Sequence, residues 1–308
     1  MAREWLLGLV VTLLGCADGG SSAADAGHAP DAAGPGRINV RACLVDPGCQ
    51  TRMISAHRGL RTRAPENTLA AYRDAVEAGA DVLETDIRAT ADGELVLMHD
   101  DTVDRTTDGT GEVASMTWAQ IQALTVHNHD DPSAEQDPRP EAHKVPRLRD
   151  LIALCRELGC QVDYDWKTGT AEQLLGVIRA ENGVELGFVH KRDAQSLVPL
   201  RQMEPGLLLM PNVATAADVD AAIALLDVKI VEAEVDLGGT VATEAVSRAR
   251  ELGIKAYADA LGLPDVGLAN GDDTLWYALV QSGLHIIASD VTDRAYGYLV
   301  QQGYRSPR

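Results

Sequence analysis

Glu84 and Asp86 stand two residues apart, and on a β-strand such neighbours project from one face. Two carboxylates side by side repel each other unless a cation or a proton lies between them. Residues 82–100 read as a strand, a tight Asp92-Gly93 turn and a second strand. A two-residue turn there sets His99 opposite Asp86, and directly opposed residues share a face. The stretch proposes a hard-cation site with an imidazole beside it. A solvated polar hairpin is the alternative, because oxygen ligands are common on protein surfaces.

Elements that could position such a site recur along the chain. Apolar, strand-like runs occupy 52–57, 81–87, 161–166, 185–190, 206–210, 229–234, 254–259 and 285–289. Helical patterns lie at 68–78, 148–158, 171–181, 193–202, 215–226, 240–252, 272–282 and 292–302. Eight strands, each followed by a helix or by a loop and helix, predict an α/β fold of the (β/α)₈ TIM-barrel type. A doubly wound open sheet is the second choice, weakened because no Gly-rich phosphate loop follows the first strand. The second strand departs from the pattern: it leads into the hairpin arm 92–99 and then a polar insertion at about 100–145. Met116, Trp118 and Ile121 in that insertion fit a short amphipathic helix.

Barrel active sites lie at the carboxyl ends of the strands. Strand one ends in His57-Arg58-Gly59 and strand two in Glu84-Thr85-Asp86. Strand three ends in Asp163-Tyr164-Asp165-Trp166-Lys167, where Asp165 and Lys167 again share a face, and strand eight in Ser289-Asp290. Taken singly these are a capping Asp, a surface Lys or a loop His. Their joint arrival at one rim is what points to chemistry.

The chain has 308 residues, of which 46 are Asp or Glu and 27 are Lys or Arg, for a net charge of -19. That balance offers no basic footprint for nucleic acid, and a single Phe offers no stacking platform for bases. Residues 1–16 read as a targeting segment: Arg3, an apolar run from Trp5 to Leu14, then Leu13-Leu14-Gly15-Cys16, which resembles the lipobox of bacterial lipoproteins. The resemblance implies cleavage before Cys16, acylation of its thiol, and an exported, membrane-anchored protein of the cell envelope. Residues 17–36 lack large apolar side chains and read as a tether, leaving 37–308 for one barrel domain. The remaining cysteines, Cys43, Cys49, Cys155 and Cys160, allow three pairings. Short loops favour Cys43–Cys49 and Cys155–Cys160; a zinc site is the alternative.

Several motifs keep a common order: Ala56-His57-Arg58-Gly59, Ala64-Pro65-Glu66-Asn67-Thr68, Gly79-Ala80-Asp81 before Glu84-Thr85-Asp86, Asp92-Gly93 before His99-Asp100, and Asp104-Arg105-Thr106-Thr107-Asp108-Gly109-Thr110-Gly111. Together they resemble the glycerophosphodiester phosphodiesterase family, densely to about residue 118 and more thinly to the C-terminus. The resemblance implies a (β/α)₈ barrel holding Mg²⁺ or Ca²⁺. It implies that His57 and His99 are the acid–base pair, that Glu84, Asp86 and Asp165 are metal ligands, and that Arg58 and Lys167 hold the phosphate. The implied substrate is a small glycerophosphodiester, with choline or ethanolamine esters preferred over lysolipids.

The departures bear on the leaving group. The segment from Asp165 to Gly169 resembles the sphingomyelinase D type of phospholipase D toxins, which keeps cleavage of lysophospholipids or sphingomyelin as an alternative. Tyr257 and His190-Lys191 replace a Trp and a Ser-Phe common in the family, and Lys191 is either a head-group contact or a solvated loop residue. An inactive lipid-binding lipoprotein is the alternative of another class.

Overall fold

The computed structural model describes residues 38–127, 143–235 and 243–308. The targeting segment and tether expected at 1–36 lie outside the described residues, as do 128–142 of the insertion and 236–242.

Among the described residues, short runs buried on both faces form nine strands. They are β1 (Met53–His57), β2 (Val82–Ala89), β3 (Leu95–Leu97), β4 (Gln161–Trp166), β5 (Gly187–Lys191), β6 (Leu208–Val213), β7 (Ile230–Ala233), β8 (Lys255–Asp259) and β9 (Ile286–Ser289). Eight of them run parallel in the order β1-β2-β4-β5-β6-β7-β8-β9, and β9 pairs back to β1, closing the (β/α)₈ barrel expected from the sequence. The ninth, β3, pairs antiparallel with the outer end of β2 as the expected hairpin arm.

The helices are α1 (Val40–Val45), α2 (Leu69–Ala78), α3 (Trp118–Ile121), α4 (Leu148–Leu158), α5 (Ala171–Ala180), α6 (Val198–Met203), α7 (Ala216–Leu226), α8 (Glu244–Glu251), α9 (Leu263–Ala269), α10 (Thr274–Gln281) and α11 (Thr292–Gln301). Threonine starts several of them: Thr68, Thr170, Thr215 and Thr243 each accept the backbone N–H three residues on, which satisfies a donor the helix cannot use. The helix expected at 193–202 divides into a 3₁₀ turn at Ala194–Leu197 and α6. Neither α1 nor α9 was expected, being too short to display a helical period.

Helix α1 closes the floor of the barrel. Its Val40, Cys43 and Leu44 pack with Met53, Val82, Phe188 and Ile230 from the lower interior. The buried Lys255 ammonium donates to the carbonyls of Asp46 (2.9 Å) and Cys49 (2.8 Å), and a Cys43–Cys49 disulfide fastens the same loop. Cys155 and Cys160 form the second disulfide, so both pairings are the short-loop ones. Asp81 also serves the floor: its carboxylate accepts from Arg305 (2.6 Å), Arg308 (2.9 Å) and the Ile54 amide (3.0 Å).

The polar insertion builds a core of its own under the arm, from Val96, Met98, Val103, Val113, Ile121, Val126 and Val145. The short helix α3 supplies Ile121 to it, with Met116 and Trp118 packed alongside. Among the described residues no helix is long and apolar enough to cross a membrane.

Candidate active site

The carboxyl ends of the strands surround a cavity of about 560 Å³ lined by His57, Arg58, Glu84, Asp86, His99, Asp165 and Lys167 among others. All seven residues singled out in the sequence therefore face one space. Inward alternation brings Glu84 and Asp86 from β2 beside Asp165 of β4, whose register pairs Asp86 with Asp165. One ligand atom from each of the three carboxylates lies within 4.8 Å of the others.

One expectation fails in detail. The arm pairs Ile87 with Leu97 and Arg88 with Val96, so Met98, not His99, falls opposite Asp86. The turn has three residues between Thr90 and Glu94, whose backbones bond at 2.9 Å, and Gly93 takes the left-handed φ of +83° that closes such a loop. The slip of one residue carries His99 past the ladder. It reaches the cavity because the Arg88 guanidinium donates twice to the His99 carbonyl, at 2.9 and 2.7 Å.

Each histidine holds Nδ1 against a carboxylate: His57 to Asp290 at 2.8 Å, and His99 to Asp100 at 2.6 Å. A carboxylate only accepts when ionised, so Nδ1 carries the proton and Nε2 is left for chemistry in the cavity. Asp100 is held in turn by Arg105 at 2.6 and 3.1 Å, which brings its carboxyl down to about 2. Arg105 also reaches Glu66, which contacts Arg58 at 3.3 Å.

Two residues in left-handed backbone set the geometry around Asp86. Arg58 has φ +58°, an uncommon state for a bulky side chain, and its amide donates to Glu84 at 2.9 Å while its guanidinium lies 3.3 Å from Asp86. Asn67, at φ +55°, bonds its amide to the Arg58 carbonyl and its side chain to Asp86 at 2.9 Å. Tyr72 donates to the Asn67 side-chain oxygen at 2.6 Å and fixes the orientation of that amide. The role of Pro65-Glu66-Asn67-Thr68, a motif with no chemistry of its own, is thus to orient Arg58 and Asp86.

Electrostatically the trio is under-neutralised. Burial, then Asp86, Asp165 and Asp163, push Glu84 well above the carboxylate range. Burial also raises Asp165, but hydrogen bonding to His190 and the charges of His190 and Lys167 outweigh it and bring it down to about 2. The Lys167 ammonium lies 3.1 Å from Asp86 and bonds Asp165; burial lowers its pKa, and these two carboxylates more than reverse that. Hard oxygen donors around a residual negative charge fit a hard divalent cation.

Sequence reasoning did not assign roles to Glu66, Asn67, Asp163, His190 and Glu232. His190 links two parts of the cavity: Nδ1 lies 3.6 Å from Asp165 and Nε2 2.6 Å from Glu232. Lys191 is neither a solvated loop residue nor free to swing. Its ammonium donates to the carbonyls of Trp166 (2.6 Å) and Lys167 (3.1 Å) and rests on the Trp166 ring at 5.0 Å. The alternation of β4, β5 and β7 could have flagged Asp163, His190 and Glu232 as inward-facing.

The sequence profile of the glycerophosphoryl diester phosphodiesterase family matches residues 57–294. The human glycerophosphodiester phosphodiesterase 1 is 46% identical over 114 residues, 36% of this chain and 33% of the relative. A glycerophosphodiester phosphodiesterase of Caldanaerobacter subterraneus subsp. tengcongensis is 33% identical over 161 residues, 50% of this chain and 64% of the relative. The matched region therefore spans about a third of the first relative and under two thirds of the second. In three dimensions a glycerophosphoryl diester phosphodiesterase of Parabacteroides distasonis superimposes with a TM-score of 0.72 at 20% identity, over 85% of this chain and 91% of that one. A phosphodiesterase of Oleispira antarctica, solved with the product sn-glycerol-3-phosphate, gives 0.67 at 22% identity, over 81% and 97%. These two likenesses concern the fold, whereas the profile spans most of the barrel, from His57 at the end of β1 to Arg294 in α11, and on that ground the chain belongs to the glycerophosphoryl diester phosphodiesterase family.

Proposed function

We propose that this protein hydrolyses glycerophosphodiesters to sn-glycerol 3-phosphate and an alcohol, with His57 and His99 as its acid–base pair. The observation that carries the reading is the convergence of two carboxylate-backed histidines and a three-carboxylate cluster on one cavity. The product named for the Oleispira enzyme, sn-glycerol-3-phosphate, is the product expected here.

Glu84, Asp86 and Asp165 are the residues that would hold a divalent cation, Mg²⁺ or Ca²⁺. Bound there, the ion would offset the charge of the phosphodiester anion. Arg58 and Lys167 add two positive groups at the same place and orient the phosphate. One histidine accepts the proton of the attacking hydroxyl and the other donates a proton to the leaving alkoxide. The carboxylates of Asp290 and Asp100 stabilise whichever imidazole is charged and keep Nε2 towards the substrate. The attacking hydroxyl can be the substrate's own 2-hydroxyl, giving a cyclic phosphate that water then opens, an advantage of proximity.

The test is release of glycerol 3-phosphate from glycerophosphocholine by purified protein. Excess chelator should abolish it and added Mg²⁺ or Ca²⁺ should restore it. Full turnover in chelator would remove the metal from this scheme.

A second reading, cleavage of lysophospholipids, draws on the rim. Leu263 and Val266 of α9 are 72% and 57% exposed, and Leu261 just before them lines the cavity. An apolar landing surface at the mouth is what a lipid substrate needs. Higher kcat/KM on lysophosphatidylcholine than on glycerophosphocholine would favour it. Anchoring through Cys16 belongs to the same proposal, and Cys16→Ser should release the protein from the membrane fraction or leave it unprocessed.

A further inference from the structure

Asp290, which holds Nδ1 of His57, lies one residue beyond the end of β9. The register of β9 with β1 ends at Ala56 and Ser289, and this sets Asp290 beside His57. A side chain past a strand end has a fixed direction only if the backbone that carries it is bonded elsewhere. Two bonds supply that restraint. The Asp290 amide donates to Asp265 Oδ2 at 2.6 Å, and the Val291 amide donates to the Ser289 hydroxyl at 3.0 Å. The same hydroxyl donates to Asp265 Oδ1 at 2.9 Å. The backbone on both sides of Asp290 is therefore tied to one carboxylate.

Asp265 is itself held in place. It sits in the first turn of α9 and is 3% exposed. Its own amide donates to the Ala260 carbonyl at 3.1 Å, and the Ala260 amide donates to Ala288 of β9 at 2.8 Å. The buried Trp276 of α10 donates its indole N–H to Asp265 Oδ1 at 3.1 Å. All three partners of the carboxylate are donors, an arrangement that suits its ionised form, although burial raises its pKa to about 6. A carboxylate buried this deeply is costly unless bonded, and a staple between α9, α10 and β9 would account for the bonds alone. What sets this one apart is where the bonds lead: to Asp290, and through it to His57 Nδ1 at 2.8 Å.

We propose that Asp265 is a positioning residue for His57: it fixes the backbone of Asp290, so that the Asp290 carboxylate keeps the imidazole proton on Nδ1 and Nε2 towards the substrate. The inference rests on the phosphodiesterase reading of the cavity and adds a residue that does not line it. Asp265→Asn is nearly isosteric, yet it cannot keep all three bonds. Its oxygen can face Trp276 and Ser289, or it can face Asp290, and the side that receives the NH₂ sets donor against donor. A displacement of about 1 Å in an orienting group costs about 10²-fold in rate. The phosphate contacts at Arg58 and Lys167 stay in place, so the loss falls on kcat and not on KM.

The experiment is a double-mutant cycle of Asp265→Asn with Asp290→Ala in the full chain, assayed on glycerophosphocholine with Mg²⁺ at a pH well above 6. Asp265→Asn should lower kcat about 10-fold to 100-fold and leave KM within about threefold of wild type. In the Asp290→Ala background the same change should cost less than about threefold, because the residue it acts through is gone. An equal factor in both backgrounds would make Asp265 a structural staple, and a wild-type kcat in the single variant would overturn the proposal outright. If Asp265→Asn does not fold, Ser289→Ala replaces it in the cycle. That change frees the Val291 amide alone and should lower kcat about threefold to tenfold, with the same loss of effect beside Asp290→Ala; an unchanged kcat would count against the proposal. The ring-nitrogen resonances of His57, assigned with His57→Ala, separate this inference from the hydrolase reading. Asp265→Asn should raise the share of His57 protonated on Nε2 at the expense of Nδ1. That change, seen in a protein whose wild type turns over no glycerophosphodiester, would sink the hydrolase and keep the positioning role. Turnover with His57 resonances unmoved by Asp265→Asn would sink the positioning role and keep the hydrolase.

Discussion

The two ends of this barrel are made by the same strands and obey opposite rules. On β2, Val82 points into the floor and packs beneath α1, while Glu84 and Asp86, two and four residues on, point into the mouth. Two lysines repeat the contrast. Lys255 is buried at the floor, where its ammonium bonds two backbone carbonyls and burial lowers its pKa. Lys167 lies at the mouth between two carboxylates, which raise its pKa despite burial. At the floor, Asp81 is paired with both Arg305 and Arg308. The mouth leaves Asp163 without a hydrogen-bond partner and Glu84 crowded by carboxylates. Crowded like charge costs stability unless a ligand offsets it, so the difference separates a region built to hold the fold from one built to bind.

The contrast predicts that mouth substitutions change catalysis more than stability. His57→Ala and His99→Ala should each lower kcat by about 10²–10⁴-fold, with thermal unfolding nearly unchanged. The double variant should lose less than the product of the two, because the histidines act together. A near-wild-type rate in either single variant would make that histidine structural.

At the floor the signs reverse. Leu44→Ala removes a buried side chain of α1 and should cost about 2–4 kcal/mol in a denaturant titration, with kcat/KM of the remaining folded protein preserved. Loss of activity in proportion greater than loss of folded protein would show that the plug communicates with the mouth.

The smallest expected effect is on pH dependence. Asp165 and Asp100 are both depressed to about 2, so each contributes stability above its unfolded value near 4, and that stability is lost as pH falls through about 2. For metal-free protein the melting temperature should therefore drop between about pH 4 and pH 2. Asp100 is partly exposed and its share is roughly 1 kcal/mol or less, so Asp100→Asn should flatten the profile only slightly. An unchanged melting temperature across that window would mean that the mouth carboxylates are not held by their cationic neighbours.

Much of this was legible from local pattern. The strand ends displayed Glu84, Asp86 and Asp165 as inward neighbours, and the spacing of the cysteines matched both disulfides. Less was legible where one residue of backbone geometry decides the outcome. The hairpin register turned on whether the loop holds two residues or three, and Gly93 is compatible with both. Helix α1 left only its cysteine pair as a signal, because six residues are too few to show a period.

The sequence by itself determined which side chains stand at each strand end and which way they alternate, because the pleat of a strand is a local property with a period of two. Tertiary structure alone decided their partners. His57 meets Asp290 across 233 residues of sequence because β9 closes onto β1. His99 reaches the cavity because Arg88 grips its carbonyl beyond the ladder. Asp163, Glu232 and Asp259 line the same cavity from three strands, β4, β7 and β8, whose relative stagger is set when the barrel closes. Distances of this kind depend on contacts far apart along the chain, and no periodicity encodes them.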